Sequence, residues 1–337
     1  SAISEDASSN QEIIFRHGPT AVSIMWLQAS LIPKLEAGSN SATGMLCVPL
    51  HVADLFYSSH GVPITEDTEW TAQGMEKYNK RFEMREGDDA HKYYIGKEEI
   101  TAACNFDREP RFYAYLGFDR GKWYGNTFRY IPDEQTPFVR ARFTEPANGL
   151  WPDQYNCTGY FAKKLVNVSS FFRSASEFWD TPFAYNMRYT DLLLMYAEAL
   201  NETAAGEDAR PDPLVYQLID GIRDRAGLEG IEVSWRKYTN NPDYPSTKAG
   251  MREIIRMERK IELVFEQMDY WDSRRWKTAP AEQNRSVQGW NTKEEEAERY
   301  YRITDLYTQK FTFRDYLSPV PEDDIIKNPK LIQNPQW

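Results

Sequence analysis

The chain has 337 residues, 41% hydrophobic and 27% charged, a composition that supports a sizeable folded core and excludes intrinsic disorder. Its net charge is −11, from 40 Lys and Arg against 51 Asp and Glu, and no basic run stands out, which argues against nucleic acid and against electrostatic docking on a membrane. No segment reaches the ~18 consecutive apolar residues of a membrane span, and SAISEDASSN at the start has no basic region followed by an apolar stretch.

Up to about residue 180, turn signals are dense, from Gly18-Pro19 through Gly87-Asp88-Asp89 to Trp151-Pro152. Short runs at 12–15 and 111–116 are predicted as strands, and 48–57 and 74–86 as short helices. Beyond residue 180 the helical period takes over. In 187–201, Leu192, Leu193, Tyr196, Ala199 and Leu200 share one helical spacing. A second helix is predicted over 214–226, with Asp212 as its cap, Pro213 in its first turn and Gly227 as its stop. Together they make a helix–turn–helix unit close to a tetratricopeptide repeat in length, which cannot bury both its faces alone.

A third, long helix is predicted over 248–276. Ile254, Met257, Ile261, Val264, Met268 and Trp271 form an apolar stripe that ends at Arg275. Glu258, Glu262 and Glu266 run along one flank; Arg252, Arg256 and Lys260 run along another. Covered flanks require paired ions, because an unpaired buried charge is expensive. Glu258, Arg259, Glu262 and Arg275 are therefore expected to be buried and ion-paired, serving packing. The competing reading is an acid–base site, since paired carboxylates do such work in glycosidases. Glutamates four apart on one helix are far more often an ion-paired or solvated face.

Cys47, Cys104 and Cys157 are widely spaced and form no metal knuckle or redox pair, so no disulfide framework is expected. The histidines are scattered, and no metal or cofactor site is predicted. G-x-S-x-G, Walker, G-x-G-x-x-G and H-E-x-x-H motifs are absent.

Four segments in order resemble the SusD/RagB family of outer-membrane nutrient-binding lipoproteins. They are MRYTDLLLMYAEALNE (187–202), IDGIRDRAGL (219–228), REIIRMERKIELVFEQMDYWDSRRW (252–276) and YLSPVPEDDIIKNPKLIQNPQW (316–337). NQEIIF (10–15), DLFYSSHGVPITED (54–67), FDREPRFYAYLGFDRGKWYG (106–125) and CTGYFAKKLVN (157–167) are similar to family segments more loosely. The resemblance implies a mainly α fold, a SusD-like α-α superhelix of tetratricopeptide-like helices with a loop-rich part carrying short β-strands. It implies one domain over 1–337, with a ligand-facing part at 1–180 and a helical scaffold at 181–337. The family's N-terminal repeats and lipid-bearing cysteine are not among these residues. It also implies a non-enzymatic receptor on the extracellular face of the outer membrane, lipid-anchored in the full-length protein. Such a receptor captures a nutrient and passes it to a SusC-type TonB-dependent transporter.

The ligand the resemblance implies is an oligosaccharide, with a peptide, as for RagB, as the alternative; a helical-barrel glycoside hydrolase is a more remote one. The 10 Trp and 21 Tyr favour flat apolar faces with polar edges, which suit sugar rings. Two loop clusters combine exposed-type aromatics with hydrogen-bonding side chains. One holds Trp123 and Tyr124. The other holds Asn148, Trp151, Asp153 and Tyr155. Trp151 and Tyr155 are the expected stacking surface, although Trp151 is equally suited to packing beneath its own loop; for Trp123, whose W-x-G run resembles a structural family segment, packing is the favoured reading.

Overall fold

The computed structural model describes residues 10–17, 21–35, 42–124, 137–148, 155–167, 170–173, 176–178 and 184–337. Strand β1 (Ile13–His17) and helix α1 (Ala21–Leu31) come first, then the short helix α2 (Leu50–Leu55). Helix α3 (Thr68–Asn79) starts where Asp67 accepts the Glu69 N–H at 2.8 Å. It is broken at 72–75, where Gln73, Gly74 and Met75 are left-handed, and residues 84–86, predicted as helix, form strand β2 (Met84–Glu86).

Strand β3 (Ile100–Ala102) pairs with β2, and helix α4 (Pro110–Tyr115) follows. The predicted strand at 111–116 is thus helical up to Tyr115. Pro110 occupies the first turn, where its fixed φ is preorganised and its missing N–H costs nothing. Extended backbone begins only with β4 (Leu116–Phe118), which pairs with β5 (Tyr160–Ala162). A small hairpin of β6 (Phe171–Arg173) and β7 (Ser176–Phe178) follows, and β8 (Ala184–Arg188) returns antiparallel to β1.

The helical part opens directly from β8 with α5 (Tyr189–Glu202), then α6 (Pro213–Arg225) and α7 (Ile231–Tyr238). Asp212 caps α6 by accepting the Leu214 N–H at 2.8 Å, and Gly227 closes it at φ +76. The long predicted helix is two: α8 (Lys248–Glu262) and α9 (Met268–Arg275). Phe265 and Gln267 between them are left-handed. Cations arriving from elsewhere cap the end of α8. Arg188 Nη2 donates to the Glu262 carbonyl at 2.8 Å, and Lys164 Nζ donates to the same oxygen at 2.5 Å. The turn exposes Trp271, at the end of the predicted stripe, to 64%. Helix α10 (Ala279–Gln283), strand β9 (Ser286–Trp290), helix α11 (Ala297–Tyr300), strand β10 (Ile303–Thr308), which pairs with β9, and helix α12 (Glu322–Lys327) complete the chain.

Two apolar cores result. The larger gathers Phe56, Phe112, Phe118 and Tyr160 from the first half with Trp290 and Tyr300 from β9 and α11. The smaller lies among α5, α6, α7 and α8, around Leu194, Ile219, Trp235 and Ile255. Helix α8 serves both, since Ile254 and Ile255 face the smaller core and Ile261 faces the larger.

The charged flanks of α8 bind these cores together. Arg111 of α4 donates to Glu258 at 2.6 Å and to Glu262 at 3.0 Å, and its Nε reaches Glu109 at 2.7 Å. Arg188 reaches Glu262 at 3.1 Å and Glu266 at 2.9 Å, and Arg225 of α6 reaches Glu262 at 2.7 Å. Arg259 pairs with Asp191 and Asp272, both at 2.6 Å. Glu258, Arg259 and Glu262 are buried and paired as expected. Arg275 departs from expectation: it pairs with Glu198 and Asp272, but its side chain is 42% exposed, because the break after α8 turns α9 outward.

Candidate functional site

The turn at 88–95 and the segment at 120–124 come together through the bridge between Ile95 and Gly121. His91 holds the turn in place. Its ring bonds Asp88 at 2.6 Å and Asp107 at 2.9 Å. Burial alone would raise the Asp107 carboxyl, but hydrogen bonds from Lys77 and His91 and the charge of Arg85 hold it at about 2. The Lys122 N–H then donates to the Tyr94 carbonyl at 2.8 Å, and the Tyr124 hydroxyl donates to the Tyr93 carbonyl at 2.6 Å.

These contacts shape a cavity of about 290 Å³. Its walls are mostly aromatic. Tyr94 stacks on Tyr113 with centroids 4.1 Å apart and planes 11° from parallel. Trp123 is buried in the wall, lying so close over Gly117 that a Cβ there would stand 2.5 Å from the indole. Tyr93, Tyr94 and Tyr124 line the same cavity yet remain 51%, 41% and 38% exposed. A floor of packed rings under half-exposed tyrosine edges can stack a small flat ligand and hydrogen-bond its rim.

The second predicted cluster lies elsewhere. Asn148 is buried, and its amide donates to the carbonyls of Ala141 at 3.1 Å and Thr292 at 2.7 Å, so it fastens one loop to another. Tyr155 is 37% exposed and does not line the cavity. Trp151 and Asp153 lie outside the described residues. The structure therefore brings together Trp123 and Tyr124 of the predicted residues. It adds Tyr93, Tyr94, Tyr113 and Lys163, which the sequence reading did not single out. The adjacent Tyr93-Tyr94 pair, just past the Gly87-Asp88-Asp89 turn, was the available signal.

The SusD_RagB family model matches residues 4–337. The chain belongs to the SusD family. Of the solved structures it resembles, BT4246 is 22% identical with a TM-score of 0.78 over 99% of this chain and 52% of that one. A SusD-like protein from Bacteroides fragilis NCTC 9343, BF3747, is 23% identical with a TM-score of 0.69 over 100% of this chain and 56% of that one. SusD-like protein P2 of Formosa agariphila is 31% identical over 148 residues, 44% of this chain and 24% of that protein. The chain thus spans about half the length of the solved relatives it matches. Its mainly helical fold with short two-stranded sheets is the SusD fold that the resemblance implied.

The acid cluster on α8 is held as ion pairs. Despite burial, the Arg188, Arg111, Lys164 and Arg225 charges hold the Glu262 carboxyl at about 2. Such a group stays ionised and is no proton donor at neutral pH. Neither it nor Glu258 lines the cavity. Among the described residues no helix is long and apolar enough to cross a membrane, and no group of His, Cys, Asp or Glu could hold a metal ion.

Proposed function

We propose that this SusD family member captures an oligosaccharide without chemical conversion, at the outer face of the outer membrane. It delivers the ligand to a SusC-type TonB-dependent transporter, and a lipid anchor belongs to the full-length protein. The observation that carries the ligand class is the cavity rimmed by Tyr93, Tyr94 and Tyr124. Its volume suits about one sugar ring of a longer chain. In this reading Tyr94 and Tyr124 stack the ring, Trp123 backs the wall, and the loop with Trp151, Asp153 and Tyr155 supplies a second stacking surface. Residues 1–180 form the ligand-facing part and 181–337 the scaffold.

A binding screen by calorimetry, with oligosaccharides and short peptides side by side, tests this. Oligosaccharide binding that weakens about tenfold or more in Tyr124→Ala and Tyr94→Ala supports the reading. A peptide that binds in the same Tyr124-dependent manner, with no oligosaccharide binding, replaces it by a RagB-like receptor. New reducing ends released from a bound glycan would make the protein a hydrolase.

A further inference from the structure

We propose that the cavity selects an acidic oligosaccharide, carrying a uronate carboxylate or a sulfate ester, and that Lys163 is the cation that pairs with its anionic group. This rests on the reading of the cavity as an oligosaccharide site.

The charge of the lining is the first observation. The chain as a whole carries 51 acidic residues against 40 Lys and Arg. The described lining of the cavity reverses that balance, with Lys122, Lys163 and Lys164 and no Asp or Glu.

The second observation is the different surroundings of two consecutive lysines just after β5. Lys164 is neutralised from within: its Nζ reaches Glu266 and the Glu262 carbonyl, both at 2.5 Å. Lys163 turns into the cavity. Its Nζ donates to the carbonyl oxygens of Tyr113 and Lys122, each at 3.2 Å. It also stands 5.4 Å from the Trp123 ring centroid and 5.9 Å from that of Tyr124. All four of these neighbours line the cavity. An ammonium has three donors, and two uncharged carbonyls use two of them. Among the described residues no carboxylate pairs with Lys163. Burial acts on it unopposed and lowers its pKa to about 8.

A partly desolvated cation met only by carbonyl dipoles and ring faces is best satisfied by an anion brought from outside. A carboxylate or sulfate on a sugar stacked at Tyr94 and Tyr124 would take the third N–H as a charge-assisted bond, which a neutral hydroxyl makes more weakly. The paired anion raises the Lys163 pKa. Affinity for the acidic ligand therefore declines as pH rises above about 8. The other titratable groups facing the cavity are Lys122, Lys164, Tyr93, Tyr94, Tyr113 and Tyr124. Burial raises the Tyr113 pKa further still and lowers that of Lys164, which Glu266 opposes.

The test is calorimetry on the full chain with oligogalacturonate and its methyl ester, which share a backbone and differ in charge. A sulfated oligosaccharide and its desulfated form make a second pair, and the pair showing the preference identifies the anion. The acidic member should bind about tenfold or more tightly than its neutral twin at pH 7. Lys163→Met should erase that preference, and Lys163→Arg should retain most of it. Raising pH from 7 to 9.5 should shrink the preference in the wild-type protein and leave it nearly unchanged in Lys163→Arg, which decides the matter if Lys163→Met fails to fold, since burial lowers the Lys164 pKa to about 8 as well. Equal affinity within both pairs, or a preference that survives Lys163→Met, overturns the inference. Neutral glycans that bind through Tyr124 with no acidic preference defeat the inference and leave the oligosaccharide reading standing. Binding of peptides alone defeats that reading itself.

Discussion

Glu262→Ala tests whether the ions of α8 hold the two cores together. The carboxylate accepts from Arg111 at 3.0 Å, Arg188 at 3.1 Å and Arg225 at 2.7 Å, and is itself buried. Removing one partner of a buried ion pair typically costs about 3–5 kcal/mol. Here each arginine keeps a second carboxylate: Glu258 for Arg111, Glu266 for Arg188, and Glu12 for the half-exposed Arg225. That places the cost at the low end, about 3 kcal/mol. Proton linkage gives a second route to the same size. The Glu262 pKa falls from 4.5 to about 2 on folding. At about 1.4 kcal/mol per pH unit, this is on the order of 3 kcal/mol. Because the folded pKa is the lower one, this stabilisation is fully present above about pH 4.5 and is lost as pH falls toward about 2. Urea unfolding at pH 7 should show the loss, and the variant's deficit should shrink as pH falls from 4.5 to 3. Arg275→Ala, at a partly exposed cation whose partners Asp272 and Glu198 keep Arg259 and Trp276, should cost less, about 1 kcal/mol. A Glu262→Ala protein within about 1 kcal/mol of wild type at pH 7 would refute the reasoning, since the buried pairs would then add nothing.

Trp151→Ala should abolish detectable oligosaccharide binding with the melting temperature nearly unchanged; a much lower melting temperature would assign the ring to the core. Gly117→Ala should destabilise by about 1–3 kcal/mol in urea unfolding, because the new Cβ meets the Trp123 indole at 2.5 Å. All three cysteines should titrate as free thiols in denaturant, as they stand in the structure. Mild oxidation should consume Cys47 and Cys157 together. The Cys157 N–H lies 3.2 Å from the Cys47 sulfur, and a hydrogen bond from Cys47 lowers the Cys157 thiol to about 7. Burial lifts Cys104 to about 12, so its thiol should persist.

What was legible in the sequence is what local rules determine. Helices α5 and α6 follow from apolar spacing, and the Asp212 cap and Gly227 stop fix the ends of α6. The pairing of Glu258 and Glu262 followed from the cost of unpaired charge, but Arg259, three residues before Glu262 and within reach along the helix, turns instead to Asp191 and Asp272, and the partners found are the distant Arg111, Arg188 and Arg225. What was illegible depends on distant chain. The break after α8 is held by Lys164 and Arg188, 98 and 74 positions from the carbonyl they cap. No window of sequence contains both halves of that contact. At 111–116 the aromatic run outweighed Pro110, although a proline at the first turn is a local helix signal. The cavity was half legible: Tyr124 stood out within its own loop, whereas Tyr94 and Lys163 acquire meaning only when the bridge between Ile95 and Gly121 and the pairing of β4 with β5 bring three segments together.

Helix α8 gains from its ions a grip on the segment that shapes the cavity. Strand β5 ends at Ala162, and in the turn that follows the two lysine ammonium groups find different partners. Lys164 enters the ion network at the end of α8, and Lys163 enters the cavity. The network therefore fixes the backbone from which the cavity's cation projects. Two apolar cores sliding on a greasy interface could trade one packing for another at little cost, whereas bonds from Arg111, Arg188 and Lys164 to Glu258, Glu262 and Glu266 permit one register. Glu266→Ala separates these roles. It removes the carboxylate partner of Lys164 and one of those of Arg188, while Glu266 itself does not line the cavity. If the network positions Lys163, this variant weakens acidic-glycan binding even at temperatures where it remains fully folded by circular dichroism. Unchanged affinity in the folded variant would show that β4 and β5 alone set the geometry of the cavity, leaving the network a purely stabilising role.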